Sequence, residues 1–430
     1  MSKLIKKNID VYAHWEGLDK PNLMGILHCI PGRGKEIFSF EYDQVWLKSD
    51  QAHSLDPSLQ LLHGAQYAPQ GQENFGMFLD SSPDRWGRFL MVRREAQLAR
   101  DEGRSERKLL ESDYLLGVYD EHRMGALRFR TNPSGKFLDD NKALASPPWT
   151  SLRELEQACL EIEKPNAENN PNYSKWIKML IAPGGSLGGA RPKASVIDKH
   201  KHLWIAKFPS RNDGNDIGAW EMVTYKLAKR AKIDIAEAKV DKFNNNHHTF
   251  LSKRFDRKDA GERIHFASAM TLLKHSDGDD SSEHVSYLEL AQFIIQQGAQ
   301  PDKDLEQLWR RIVFHICVSN VDDHLRNHGF ILQTNGWILS PAFDINPDAN
   351  GDGLKLNISE NDNSQDLSLA KKVAKYFRIK PDNADKIIKE VTSAVKNWRK
   401  EAKTLGISER EQNQMKRAFR IVDSTKRDVR

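Results

Sequence analysis

The sequence predicts an α+β protein with a β-rich opening module, a mixed centre and a mostly α-helical C-terminal part. Three observations predict it. Short, partly alternating β-rich runs (NIDVYAHW, NLMGILHCI, EIFSFEY) follow one another at the N-terminal end. Beyond Arg257 the apolar spacing becomes that of helices, from YLELAQFIIQQGA to ISEREQNQMKRAFRIVD. Between these regions, strands and helices surround the glycine-rich stretch GGSLGGARPKA at 184–194.

In chain order, PGRGK separates the second and third strands as a turn. SSPDRWGRFLMVRREAQLAR predicts a helix, with Ser82 as its cap and Pro83 in the first turn, where a missing amide donor costs nothing. YLLGVYDEHRMGALRFR predicts two strands around a charged turn, and 131–148 predicts a linker. SLRELEQACLEIEK restarts a helix, for which Ser151 and Glu154 offer a capping box. A helix around YSKWIKMLIA leads into the glycine stretch, and then come the strand HLWIAKFP, the helix AWEMVTYKLAKRAKI and the strand TFLSKRFDR. NNNHH at 244–248 predicts a hairpin turn, and SDGDDSSEH at 276–284 a solvated loop. GFILQT-Asn335-Gly336-WILSP predicts a β-hairpin, with Asn-Gly supplying the two positive-φ positions. The expected domains are 1–148, 149–257 and 258–430.

The 430 residues suffice for two or three domains, and 39% hydrophobic with 29% charged residues is an ordinary soluble composition. A formal net charge of +5, from 65 basic and 60 acidic residues, is too weak to argue for nucleic-acid binding by this chain alone. Cys29, Cys159 and Cys317 lie far apart and predict neither a disulfide framework nor a zinc ribbon, which points to a cytoplasmic location. The N-terminus has no long apolar segment, so neither a signal peptide nor a membrane partner is expected.

Three motifs carry chemistry. Four glycines, a serine and two cations before a strand make a backbone that can approach phosphate and offer it amide donors. The stretch is no Walker loop, because GxxxxGK[ST] is absent, and a flexible connector is the bland alternative. Lys207 ends an apolar strand after that loop and suits pairing with nucleotide phosphates. Glu221, in the following helix, could hold it, as a strand lysine and helix glutamate do in protein kinases. A lysine that merely snorkels to solvent is the competing reading.

The third motif is SNVDDHLRNHGF at 319–330, where Asp322 and Asn327 have the D-x-x-x-x-N spacing of a kinase catalytic loop. There the aspartate orients the acceptor hydroxyl and the asparagine holds a metal ion. The hairpin then carries Asp344, in SPAFDIN, back toward them. One amide, one carboxylate and ATP oxygens suffice for magnesium. Two rivals are a zinc site from His324, His328 and Asp322 or Asp323, and a polar cluster that only caps the helix ending at Val318. Neither explains why glycine loop, strand lysine, D-x-x-x-x-N and Asp344 occur in kinase order.

These stretches, with MGIL, FSFEYDQVWL, FLDSSPDRWGR and MGALRF in the N-terminal part and LSKRFDR, NVDDHLRNH and PAFDI further on, resemble the HipA family of bacterial toxin kinases over nearly the whole chain. The resemblance implies a protein-kinase-like two-lobed fold with an added N-terminal β-rich module and a mostly α-helical C-terminal lobe. It implies Asp322 as the catalytic aspartate, Asn327 and Asp344 as magnesium ligands, and Lys207 as the ATP-phosphate lysine. Ser186, Gly188, Gly189 and His324 would also serve ATP binding, with Lys253 and Phe255 at the adenine hinge. Ser186 matches a serine that members autophosphorylate, and a phosphoserine there adds negative charge where ATP phosphates would sit. Asp323 departs from a position where other members have glycine. Members are restrained by a small helix-turn-helix, HipB-like antitoxin that binds operator DNA, and their best-known protein target is glutamyl-tRNA synthetase. A catalytically silent co-repressor acting through its antitoxin and a small-molecule kinase are the alternative functions.

Overall fold

A five-stranded antiparallel sheet opens the computed structural model, which describes residues 6–32, 34–140, 147–181, 189–244, 246–259 and 261–424. The strands are β1 (Lys7–Ala13), β2 (Asn22–Pro31), β3 (Glu36–Tyr42), β4 (Gln66–Tyr67) and β5 (Leu127–Arg130), in the order β4-β3-β2-β1-β5. Alternation does what period two requires: Ile9, Val11, Ala13, Leu27, Cys29, Phe38 and Phe40 all turn inward. The rings of Phe40 and Phe78 lie 5.5 Å apart, and those of Phe78 and Phe129 6.0 Å. The glycine of MGIL has a steric cause. Gly25 faces a register shift at Val11/Tyr12, and a Cβ there would stand 2.3 Å from the Glu41 carbonyl oxygen.

This sheet belongs to the first of two compact units, Met1–Arg211 with Arg254–Ala267. Its helices include α1 (Arg85–Asp101), α2 (Glu111–Leu116), α3 (Leu152–Ile162) and α4 (Tyr173–Ile181). The cap of α1 is Asp84, whose carboxylate accepts from Gly87 N at 2.9 Å. Ser82 is engaged in the preceding turn, where its hydroxyl donates to the Phe78 carbonyl, so the serine expected to cap is two residues early. The first of the two strands expected in YLLGVYDEHRMGALRFR is the end of α2. Asp113 accepts from Leu110 N at 3.0 Å and starts a helix there, and only β5 is extended. Ser151 ends a 3-10 turn, Trp149–Ser151, and makes no capping bond. Two more strands, β6 (Lys193–Ile197) and β7 (Leu203–Lys207), pair antiparallel with Lys193 opposite Lys207. The RFDR stretch is a buried ion cluster. Arg254 and Arg257 approach the Asp256 carboxylate at 2.5 and 2.7 Å, and Gly125 N donates to it at 2.8 Å.

The second unit comprises Asn212–Lys253 and Ser268–Arg430. It contains α5 (Ile217–Arg230), the hairpin of β8 (Ala238–Asp241) and β9 (Thr249–Lys253), α6 (Tyr287–Gln297), α7 (Pro301–Val318), the hairpin of β10 (Gly329–Gln333) and β11 (Gly336–Leu339), and α8 (Pro381–Val395). Its axis is α7, which packs against α6 and α8 and buries Leu305, Leu308, Trp309, Ile312, Phe314 and Ile316. The β10–β11 hairpin forms as expected, but its loop is Thr334–Asn335 and neither residue has positive φ. Gly336 alone takes φ +128, and a Cβ there would meet the Gln297 carbonyl oxygen at 2.6 Å. A β-branched threonine resists positive φ, so the glycine after the turn absorbs the twist. Among the described residues no helix is long and apolar enough to cross a membrane.

Candidate active site

The second unit gathers the acidic and amide residues of 319–330 at the end of α7. That helix stops because Ser319 turns left-handed, at φ +49, while Asn320 N donates back to the His315 carbonyl at 3.1 Å. The chain then turns through Val321 and exposes Asp322. The D-x-x-x-x-N spacing closes on itself. The Asp322 carbonyl accepts from His324 N at 3.0 Å and from Asn327 Nδ2 at 3.0 Å. Asn327 N donates to the His324 carbonyl at 2.8 Å, completing a 3-10 turn over Leu325–Asn327. The loop is therefore stiffened by its own amide, with the Asp322 side chain at the surface and Asn327 buried.

Asp323 points the other way. Its carboxylate accepts from Tyr287 Oη at 2.5 Å and from His328 Nε2 at 2.7 Å, and His315 Nδ1 lies 2.8 Å from it. Burial pushes this carboxyl up, but the two imidazoles outweigh burial and hold it well below the usual carboxylate range. Burial lowers Arg311 to about 10, with Asp234, Asp323 and Asp304 opposing. The guanidinium donates to the Ser340 carbonyl at 2.6 Å. The zinc alternative fails on this geometry. His328 is committed to Asp323 in extended backbone, so it shares no helical face with His324. Among the described residues no group of three or more His, Cys, Asp or Glu side chains could hold a metal.

The Asp344 segment is tied to this loop by two backbone links and to α5 by a third. Asn346 N donates to Asn320 Oδ1 at 3.1 Å, and Asp348 N donates to the Ser319 carbonyl at 3.0 Å. One residue from Asp344, the Ile345 carbonyl accepts from Thr224 Oγ1 at 2.6 Å. Asp344 itself is left-handed, at φ +56, and its carboxylate accepts from Asn346 Nδ2 at 3.2 Å. Upstream, Ala342 is pinned by exchanging hydrogen bonds with Asp234 and Ala236. Glu221 is buried on α5 one turn before Thr224, and its carbonyl accepts from that same hydroxyl at 2.9 Å. Asp322, His324, Asn327, Asp344 and the Glu221 helix thus belong to one hydrogen-bonded neighbourhood.

The other expected residues lie elsewhere along the chain. Lys253 closes β9 in the second unit, where its N–H donates to the Glu237 carbonyl at 2.7 Å. Lys207 closes β7 in the first unit, opposite Lys193. Phe255, also in the first unit, packs its ring 5.9 Å from Phe266. Gly189 takes φ +94, and its carbonyl accepts from Lys193 Nζ at 2.9 Å. Ser186 and Gly188 lie outside the described residues. Sequence reasoning did not foresee Tyr287, His315, Asn346 or Thr224, whose parts are set by contacts between elements distant along the chain, and it read Asn320 only as part of a helix-capping cluster.

Residues 185–398 match the family described as HipA-like C-terminal domain. In the solved structures, a chain of the Shewanella oneidensis MR-1 complex of the toxin-antitoxin proteins HipA and HipB with operator DNA superposes with a TM-score of 0.66 at 18% identity. That match covers 97% of this chain and 96% of the other. A weaker likeness, with a TM-score of 0.39 at 17% identity over 56% of this chain and 90% of the other, is to the Helicobacter pylori proinflammatory kinase CtkA. A Haemophilus influenzae protein named "Putative kinase" is 28% identical over 204 residues, which are 42% of this chain. The chain spans 59% of the length of that curated relative.

Proposed function

Since this chain belongs, through residues 185–398, to the HipA-like C-terminal domain family, we propose that it is an ATP- and magnesium-dependent serine/threonine protein kinase. The observation that carries the reading is the closure of the Asp322–Asn327 loop on its own amide, next to the Asp344 segment. Phosphoryl transfer asks a protein for positioning and charge neutralisation, and a stiff loop with an outward carboxylate supports both.

In this reading Asp322 aims the acceptor hydroxyl and takes its proton. Asn327 uses its amide nitrogen within the loop, so its amide oxygen is the atom for a hard cation. With the Asp344 carboxylate it makes an all-oxygen donor set that fits magnesium, which would neutralise phosphate charge when bound. Lys207, for which Glu221 is the orienting candidate, and the glycine stretch with Gly188 and Gly189 would hold the triphosphate. His324, Lys253 and Phe255 would frame the nucleotide, with Ser186 as the residue the enzyme phosphorylates on itself. We read 1–148 as the N-terminal module, 149–257 as the small lobe and 258–430 as the catalytic lobe.

The resemblance to a chain solved with HipB and operator DNA supports a cytoplasmic toxin restrained by a helix-turn-helix antitoxin, through which it meets DNA. The substrate class we propose, from the family resemblance of the sequence motifs alone, is a protein such as glutamyl-tRNA synthetase. The test is γ-labelled ATP with magnesium. Label on Ser186 in the wild type, absent from Asp322→Ala and abolished by EDTA, is the expected result. A wild type that takes no label under these conditions overturns the kinase reading in favour of a binding module. Phosphopeptide mapping of lysate incubated with the enzyme then identifies the target.

A further inference from the structure

The most deeply buried lysine of the first unit is Lys193, at 2% exposure, and it is not the lysine assigned to the triphosphate. Its Nζ donates to Asp84 Oδ2 at 3.0 Å and to the Gly189 carbonyl at 2.9 Å. Asp84 is itself buried, at 6%, and its other oxygen caps α1 through Gly87 N. In the first turn of that helix, Trp86 Nε1 donates to the Lys193 carbonyl at 3.0 Å. Both the backbone and the side chain of Lys193 are therefore held by SSPDRWG, a stretch more than a hundred positions earlier that the catalytic reading leaves unused.

A buried ion pair is a poor way to gain stability, because desolvating both charges offsets most of the attraction. What this pair fixes is position. Gly189 has φ +94, which a side chain would resist, and a Cβ there would lie 3.4 Å from the lysine ammonium. The ammonium thus pins a glycine at the C-terminal end of the glycine stretch, four residues before β6. In the ladder, moreover, Lys193 stands directly opposite Lys207. Two like charges at such a pair repel. The Asp84 carboxylate on Lys193 offsets that repulsion.

We propose that Asp84 and Lys193 are positioning residues for nucleotide binding: the N-terminal module, through the cap of α1, sets the exit of the glycine stretch and offsets the charge beside Lys207. The inference rests on the kinase reading. It is tested on the full chain in an Asp322→Ala background, where binding of a fluorescent ATP analogue with magnesium is measured without turnover. Lys193→Met and Asp84→Asn should each weaken binding about tenfold, the loss expected when one charge-assisted hydrogen bond goes. The double variant should bind no worse than Lys193→Met, because the aspartate acts through the lysine. It also leaves no buried charge unpaired, so it folds even where a single variant does not. Variants that bind as tightly as the parent, or a double variant whose losses multiply, would overturn the positioning role while leaving the kinase reading intact. A parent that binds no nucleotide would overturn both.

Discussion

The Tyr287 hydroxyl donates to the Asp323 carboxylate at 2.5 Å, joining α6 to the loop that follows α7. With His328 and His315 on the same oxygen, Asp323 forms the buried foot of the loop that presents Asp322 outward. Adjacent carboxylates thus have opposite surroundings, one in solvent and one among imidazoles.

Removing that foot should be costly. Asp323→Ala leaves two imidazoles and a phenol facing a void, and loss of one partner from a buried charged cluster costs about 3–5 kcal/mol. Tyr287→Phe deletes only one hydrogen bond to a charged group and should cost about 1.5–3 kcal/mol. Urea unfolding of both variants checks the order. Equal, sub-kilocalorie effects would mean that the cluster is not what holds the loop.

At Asp322 the expectation reverses. Its side chain is exposed, so Asp322→Ala should change stability by less than about 0.5 kcal/mol while abolishing phosphoryl transfer. Asn327→Ala should lose activity and also about 1 kcal/mol, because its Nδ2 bond to the Asp322 carbonyl goes with it. Thermal unfolding beside a γ-labelled ATP assay separates the two. A destabilised Asp322→Ala would contradict the outward placement of that carboxylate.

Much of this loop was legible in the sequence because it is local. D-x-x-x-x-N is a spacing, and the bonds that close it run between residues two to five apart. Asn-Gly marked the hairpin, but the positive φ falls on Gly336 alone, since the loop is shifted one residue toward Thr334. What could not be read is what packing decides. In the sequence Asp323 is only an optional ligand of the zinc alternative and a departure from a family glycine, and the approach of α6 and α7 shows it to be an anchor. Ser82 and Asp84 are equally good caps by type. Asp84 takes the role at α1 because Ser82 is drawn into the preceding turn by Phe78.

Asp344 combines a charge with a left-handed backbone, at φ +56. Asn tolerates that conformation nearly as well as Asp, whereas a plain Cβ residue resists it by about 1–2 kcal/mol. Asp344→Asn should therefore keep wild-type stability and require far more magnesium for activity. Asp344→Ala should lose both stability and activity. Magnesium titrations of the phosphorylation rate, run beside urea midpoints, check this. An Asp344→Asn enzyme with an unchanged magnesium requirement would remove the residue from the metal site.

The clearest pH dependence should come from the first unit. His265 is buried against Trp15, with ring centroids 5.5 Å apart, and burial, aided by His53, lowers its imidazole from 6.5 to about 3. Its folded value lies below its unfolded one, so between these values the unfolded chain binds the extra proton and stability rises with pH. The contribution is complete above about pH 6.5 and drains away as pH falls toward 3. Going from pH 7 to pH 5 should cost about 2 kcal/mol through this residue alone. His265→Phe keeps a ring in the cavity and has no proton to take up. Its stability should fall less over the same interval, by that difference, in urea unfolding at the two pH values. Parallel losses in both proteins would show that His265 does not govern acid sensitivity, and that the proton uptake lies elsewhere in the chain.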